Sequence, residues 1–259
     1  MIEIVLIFIF GLIIGSFLNC VIWRLYKEES FVGGKSYCPH CRHSLCVWDL
    51  FPLLSFVFLG GKCRYCKEKI SIQYPLVELL TAVLFSGVYL FLGSISVQLI
   101  FWLIMMAFFV VIFVFDLKYF IIPDEVSYGA IFLSIAWILY SFFIHTINSH
   151  DVFLLFASGL GASLFFFLIW FFSRGMAMGF GDVKLALLIG LLLGFPNTIV
   201  GLFLGFLLGA IIGSVMVFFK KRGFASEVPF APFLITGTII AFFFGSRLVD
   251  WYLSLSFKL

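Results

Sequence analysis

Apolar residues along this chain neither alternate nor recur with a helical period; they run on. Long apolar stretches fill residues 3–24, 75–94, 97–115, 126–145, 152–172, 197–218 and 230–250, and a shorter one, 184–195, is closed by the turn signal Pro196-Asn197. A segment that is apolar all round needs an apolar solvent, and in lipid each span must satisfy its own backbone hydrogen bonds as a helix. The two-residue alternation of a membrane barrel is absent from the sequence. The pattern predicts an all-α polytopic membrane protein with about eight transmembrane helices, the sixth of them short; reading 184–218 as one kinked span is the alternative. The first stretch follows an acid, Glu3, rather than a basic region, has no small-residue cleavage site after it and is long enough to span. It is therefore read as a helix and not as a signal peptide.

Composition strengthens this reading. Of 259 residues, 64% are hydrophobic, 38 are Phe and only 11% are charged, with a mean hydropathy of +1.22; a soluble domain of this length cannot hide that much apolar surface. The net charge of +3 matters less than where the charges fall. Taking the loops alternately, one side holds Arg24, Lys27, Lys35, Arg42, Lys62, Arg64, Lys67, Lys69, Lys118, Arg174, Lys184, Lys220, Lys221 and Arg222, and the other only Arg247 and Lys258. Short loops rich in Lys and Arg stay in the cytoplasm, so both termini are expected outside and the loops carrying Asp116, Asp182 and the cysteines inside. Nothing in the sequence points to nucleic acid.

The expected division is a first transmembrane helix at 1–24, a cytoplasmic loop domain at 25–74 and a transmembrane core at 75–259. The loop domain is too small to build a large core and needs a staple. Within it, "FPLLSFVFLGG" (51–61) is apolar enough to lie on the bilayer surface or to form a strand pair. No internal repeat is apparent at the level of the sequence.

That staple is readable. "CPHC" (38–41) and "CRYC" (63–66) each put two residues between thiols, so that both sulfurs of a pair face one metal in a tight turn. Two such knuckles complete a tetrahedral thiolate site suited to structural zinc, with Cys38, Cys41, Cys63 and Cys66 as ligands. The alternatives are cytosolic thiols without metal and a redox pair. Arg42, Lys62, Arg64 and Lys67 would favour the thiolates. His40 and His43 read as bystanders, and Cys20 and Cys46 as ordinary residues. A closed four-thiolate site has no open coordination position, so its metal would hold the fold rather than do chemistry.

Acids in or beside membrane spans are costly and mark candidate function. Glu78, Asp116, Asp124, Asp182 and Glu227 qualify. Asp116 follows "MMAFFVVIFVF" and Asp182 closes "GFGD"; the charge-sided topology puts both at one depth, at the cytoplasmic mouth of the bundle. Two carboxylates that come close share a proton, so that one activates water while the other polarises a carbonyl or protonates a leaving nitrogen. Gly179 and Gly181 would remove Cβ atoms where a substrate backbone approaches. Lys184 lies on a different helix face from Asp182 and reads either as a snorkelling anchor or as a group tuning the acids. Asp124, after Pro123, reads as the cap of the following helix. On residues alone, proteolysis, a proton-coupled transporter and helix-capping charges all stay open.

Several stretches, in order, resemble the bacterial type IV prepilin peptidases, membrane aspartyl proteases of the GxGD class: "GSFLNCVIWRL" (15–25), the two cysteine pairs, "ISIQYPLVELLTA" (70–82), "DLKYFIIPDEVS" (116–127), "GFGDVKLA" (179–186) and "VPFAPFL" (228–234). The resemblance implies Asp116 and Asp182 as the catalytic pair. It also implies cleavage of a short basic leader from prepilins or pseudopilins at the cytoplasmic face of the bacterial inner membrane, and methylation of the new N-terminus from S-adenosylmethionine. No Gly-rich nucleotide loop after a strand is present to bind that donor, so peptidase action without methylation is the alternative. Glu78, in "YPLVELL", is expected to receive the leader's charge or the substrate amine, or else to serve packing polarity. A non-catalytic, zinc-anchored assembly protein is a further reading.

Overall fold

The structure is a computed structural model and describes residues 2–30, 36–218 and 228–256. Lys35, Lys220, Lys221, Arg222, Glu227 and Lys258 lie outside the described residues. Nine α-helices form among those described: α1 (Ile2–Tyr26), α2 (Leu54–Phe58), α3 (Gln73–Leu92), α4 (Val97–Tyr119), α5 (Asp124–Phe143), α6 (Ser149–Ser173), α7 (Phe180–Leu193), α8 (Asn197–Phe218) and α9 (Ala231–Ser256). Seven of them are long and apolar enough to cross a membrane. The short sixth span is α7: its 14 residues reach about 21 Å, less than the roughly 30 Å of a bilayer core. It starts at Phe180 rather than at 184, and ends where Gly194 turns left-handed (φ +65°) just before Pro196. The stretch 184–218 is thus two helices.

The chain forms two compact units, residues 1–114 and 115–259. In the first, α1 packs antiparallel along α3. A Cβ at Gly11 would stand 2.6 Å from Ala82 Cα and one at Gly15 would stand 2.6 Å from Glu78 Cα, so bare backbone is what lets the helices meet. At one end the Tyr89 hydroxyl donates to the Glu3 carboxylate. Toward the other, the Asn19 amide donates to Gly15 O (3.2 Å) and Tyr74 O (3.1 Å).

The stretch 51–61 does not form a strand pair. It folds into α2 after a 3-10 turn at Val47–Asp49. Pro52 has no amide to give a ladder, the amide of Leu53 is taken by Glu78, and Gly60-Gly61 sits at the end of the stretch rather than midway, where a hairpin would turn.

In the second unit α7 is the hub, in contact with α5, α6, α8 and α9. A helix enclosed on all sides has no polar face to offer, and α7 accordingly buries Val183, Leu185, Ala186, Leu188, Ile189 and Leu191. Its first two turns carry Asp182 and Lys184, both buried as well.

Candidate active site and metal centre

Helix α4 continues past the expected end of its span, so Asp116 stands within its last turn rather than after it. Its side chain is 6% exposed. Carboxylate Oδ2 accepts a hydrogen bond from the amide of Ala231, the first residue of α9, at 3.1 Å. The opening amides of a helix have no partner within it and carry the positive end of its dipole, so this is a natural seat for a carboxylate. Sequence reading missed the Ala231 amide; Pro232, a residue suited to a helix's first turn, was the available signal.

Asp182 is the third residue of α7 and is 8% exposed. Its carboxylate accepts from the amide of Gly179, the residue capping the helix, and its own amide donates to Gly179 O at 3.2 Å. This is the N3 half of a capping box, with Gly in place of the usual Ser or Thr. Asp182 and Asp116 lie close enough to interact electrostatically. A fold that brings the last turn of α4 to the first turn of α7, with the first turn of α9 beside them, has gathered these acids across 66 residues of chain.

The two glycines of "GFGD" part company. A Cβ at Gly181 would meet the Cβ of Ile122 at 2.9 Å, with Cδ1 at 3.1 Å, so the space it leaves is already filled by the strand-like run into α5. Its bareness serves close packing, contrary to the expectation of substrate room. A Cβ at Gly179 would touch only Asp182 Oδ2 and Gly181 N, each at 3.9 Å. Among the described residues, open space lies there.

Asp124 does not cap α5. The capping position is Pro123, and Asp124, the first helical residue, instead forms an ion pair with Lys184 Nζ. Lys184 is 8% exposed and its ammonium also lies over the rings of Tyr128 (5.2 Å) and Phe180 (5.9 Å). It is held by three groups of the protein.

In the first unit Glu78 accepts from the amide of Leu53 at 2.8 Å. The structure thus shows a buried acid bonded to the chain's own loop.

The four cysteines converge: the sulfurs of Cys38, Cys41, Cys63 and Cys66 all lie within 4.8 Å of one another. Cys38 Sγ and Cys66 Sγ are 3.9 Å apart, close to the edge of about 3.8 Å for a tetrahedron of sulfurs at roughly 2.3 Å from zinc. The two knuckles repeat one another in structure. In each, the first Cys amide bonds the carbonyl five residues on (Cys38 to His43, Cys63 to Glu68). The residue four on returns an amide to that Cys (Arg42 to Cys38, Lys67 to Cys63), with φ of +58° and +61°. A single bridge closes each loop, Tyr37 to Ser44 and Lys62 to Lys69. Tyr65 and Cys66 amides point at Cys63 Sγ and, against the effect of burial, bring its thiol down to about 7. Donors aimed at sulfur suit a thiolate ligand. His43 stacks on Tyr65 with ring centroids 3.7 Å apart, outside the cluster.

Two buried carboxylates brought together at helix ends could divide the roles of base and acid between them, as hydrolysis of the aspartic type requires. Residues 9–92 match the bacterial peptidase A24 N-terminal domain, and residues 102–214 match the type IV leader peptidase family. The chain is 31% identical over 254 residues to a prepilin leader peptidase/N-methyltransferase of Bacillus subtilis (strain 168), covering 97% of this chain and 98% of the relative. It is 29% identical to the protein of that name from Legionella pneumophila, covering 95% and 92%, and 30% identical to that of Aeromonas hydrophila, covering 96% and 93%. No solved structure matches it. The chain belongs to the type IV leader peptidase family.

Proposed function

We propose that this protein cleaves the short basic leader from type IV prepilins or pseudopilins at the cytoplasmic face of the bacterial inner membrane, with Asp116 and Asp182 as its catalytic residues. The observation that supports this most is the meeting of two buried, interacting acids from α4 and α7. One carboxylate, ionised, takes a proton from water as the oxygen attacks the scissile carbonyl. The other, protonated, gives its proton toward the carbonyl oxygen, and collapse passes a proton to the leaving nitrogen. The amides of Ala231 and Gly179 hold the two carboxylates in place. The open side of Gly179 is where the substrate backbone would pass, with Lys184 close by. A basic leader stays on the cytoplasmic side by the same charge rule that orients this chain.

Cys38, Cys41, Cys63 and Cys66 fit a structural zinc ion, which would tie the two knuckles together. Methylation of the new N-terminus, with S-adenosylmethionine as donor, rests on the family and on the relatives' names; no residue here is assigned to it. The test is the purified full chain with a prepilin, with and without S-adenosylmethionine, read by intact mass. Loss of the leader is the expected result, and an added methyl would report the second activity. An unchanged substrate with zinc-loaded, folded protein would sink the peptidase reading. Cys63→Ser should drop bound zinc from about one per chain toward none, read by metal analysis.

A further inference from the structure

The apolar stretch between the two knuckles raises a separate question. Val47, Trp48, Val57 and Phe58 are 78%, 73%, 70% and 83% exposed, and from Leu50 to Gly61 there is no charged residue. In water this would be an unusual surface for a 12-residue run to present. The depth of its contacts explains it. Along α1 the rise from Glu3 to Arg24 is about 32 Å, close to the roughly 30 Å of a bilayer core. Both levels carry interfacial markers: Glu3 bonds Tyr89 at one, while at the other Lys27 lies over the rings of Trp23 and Tyr26.

Ser16 stands about 12 Å inward of Arg24 along that helix. Its hydroxyl donates to Leu50 O at 3.5 Å. Glu78, beside it on α3, accepts from Leu53 at 2.8 Å, and lies only about 17 Å along α3 from Tyr89. The segment from Leu50 to Leu53 therefore sits well inside the span of α1. Its mouth is closed from outside: Arg64 Nε meets Asp49 Oδ1 at 2.6 Å and the Tyr65 hydroxyl donates to Asp49 Oδ2 at 3.1 Å, which joins the residues before and after the excursion.

We infer that residues 50–61 form a re-entrant element inserted into the bilayer leaflet on the Arg24 side, with lipid chains covering α2, Glu78 as its polar floor and the Asp49–Arg64 pair as its neck. Non-helical backbone at membrane depth is tolerated only where protein satisfies it, and Glu78 and Ser16 supply those partners for Leu53 and Leu50. Trp48, just outside the neck, takes the position of an interfacial anchor.

The test uses the full chain in phosphatidylcholine/phosphatidylglycerol nanodiscs, with the photo-reactive residue benzoylphenylalanine placed singly at Phe58, at Phe17 on the outer face of α1, or at His40 in the first knuckle. After illumination, intact mass should show phospholipid adducts at Phe58 as frequent as at Phe17 and at least several-fold above His40. Adducts at Phe58 no more frequent than at His40, or a covalent dimer in their place, would overturn the insertion. A second measurement needs no change in the loop core: the Trp48 fluorescence component, taken as wild type minus Trp48→Phe, should be quenched by brominated lipid. A component indifferent to the bromines would equally overturn it.

Discussion

Each unit of this protein buries carboxylate in a helix that the membrane surrounds, and each carboxylate takes a backbone amide, yet the two sites are built for different ends. In the first unit Glu78 is single: Leu53 donates to it from the chain's own loop. In the second, Asp116 and Asp182 each take one amide, from Ala231 and Gly179, and then face one another. Burial and an amide donor are thus no signature of catalysis by themselves. What separates the sites is the second acid, since a lone acid held by donors has no neighbour with which to divide the roles of base and acid.

The sharpest way to break that contrast is to neutralise each acid in turn. Asp116→Asn or Asp182→Asn should lower leader cleavage by about 10²–10⁴-fold, the range for general acid-base groups, while insertion and zinc content stay as they are. If the two act as a unit, as proposed, the double variant should be no worse than the worse single one. Additive losses would mean that the carboxylates work separately. Glu78→Gln, which keeps an oxygen to accept from Leu53, should leave cleavage within about tenfold of wild type, and Glu78→Leu should show its effect in the first unit as faster amide exchange at Leu53, a cost of about 1–3 kcal/mol for the orphaned donor. A loss with Glu78→Gln as deep as that of the aspartates would erase the distinction between the sites.

The next largest effect concerns the glycines beside Asp182. Gly181→Ala pushes a methyl to 2.9 Å from Ile122 Cβ, an overpacking worth about 1–3 kcal/mol, and Ile122→Ala, which removes the Cγ1 and Cδ1 contacts but keeps that Cβ, should rescue it only in part. Gly179→Ala meets nothing nearer than 3.9 Å, so it should spare thermal stability and instead raise KM for the prepilin. If Ile122→Ala rescues Gly179→Ala too, the two glycines share one role and the open side of Gly179 is not a path for substrate.

How far these sites could be read from sequence depends on how local they are. The cysteine quartet was legible because each knuckle closes within about eight residues, and C-x2-C spacing is itself the geometry. The helices were legible because uninterrupted apolar runs leave one solution in lipid, and α7 strayed at its N-terminus, where Phe180 to Val183 prolong it. The acid pair needed charge placement along the whole chain to bring Asp116 and Asp182 to a common depth. The partners that seat them, Ala231 and Ile122, lie in other elements and leave no periodic trace. Asp124 misled for the same reason: a Pro-Asp start reads as a cap, and only the fold brings Lys184 to its carboxylate. The run 51–61 carried its apolarity openly but not its depth, which is set by Ser16 and Glu78 on helices before and after it.

The smallest effect expected tests a third acid of the first unit, one outside the membrane. Burial would push the Asp49 carboxyl up, but the Cys46 thiol and amide, Arg64 and Tyr65 all donate to it and together hold it below the usual carboxylate range. Burial, and then the same contact, hold the Tyr65 hydroxyl up at about 12. A folded-state value below the unfolded one means stability that is complete above the ordinary Asp value of about 3.9 and is lost as pH falls through the lower, folded value. Asp49→Asn should remove that acid-side dependence, and at neutral pH it should cost no more than about 1 kcal/mol, since Arg64 is half exposed and such pairs are screened. The measurement is amide exchange across 46–66 against pH, wild type beside variant. Equal curves at acid pH would show that the neck closes without its ion pair, leaving Glu78 and Ser16 alone to hold the segment between the knuckles.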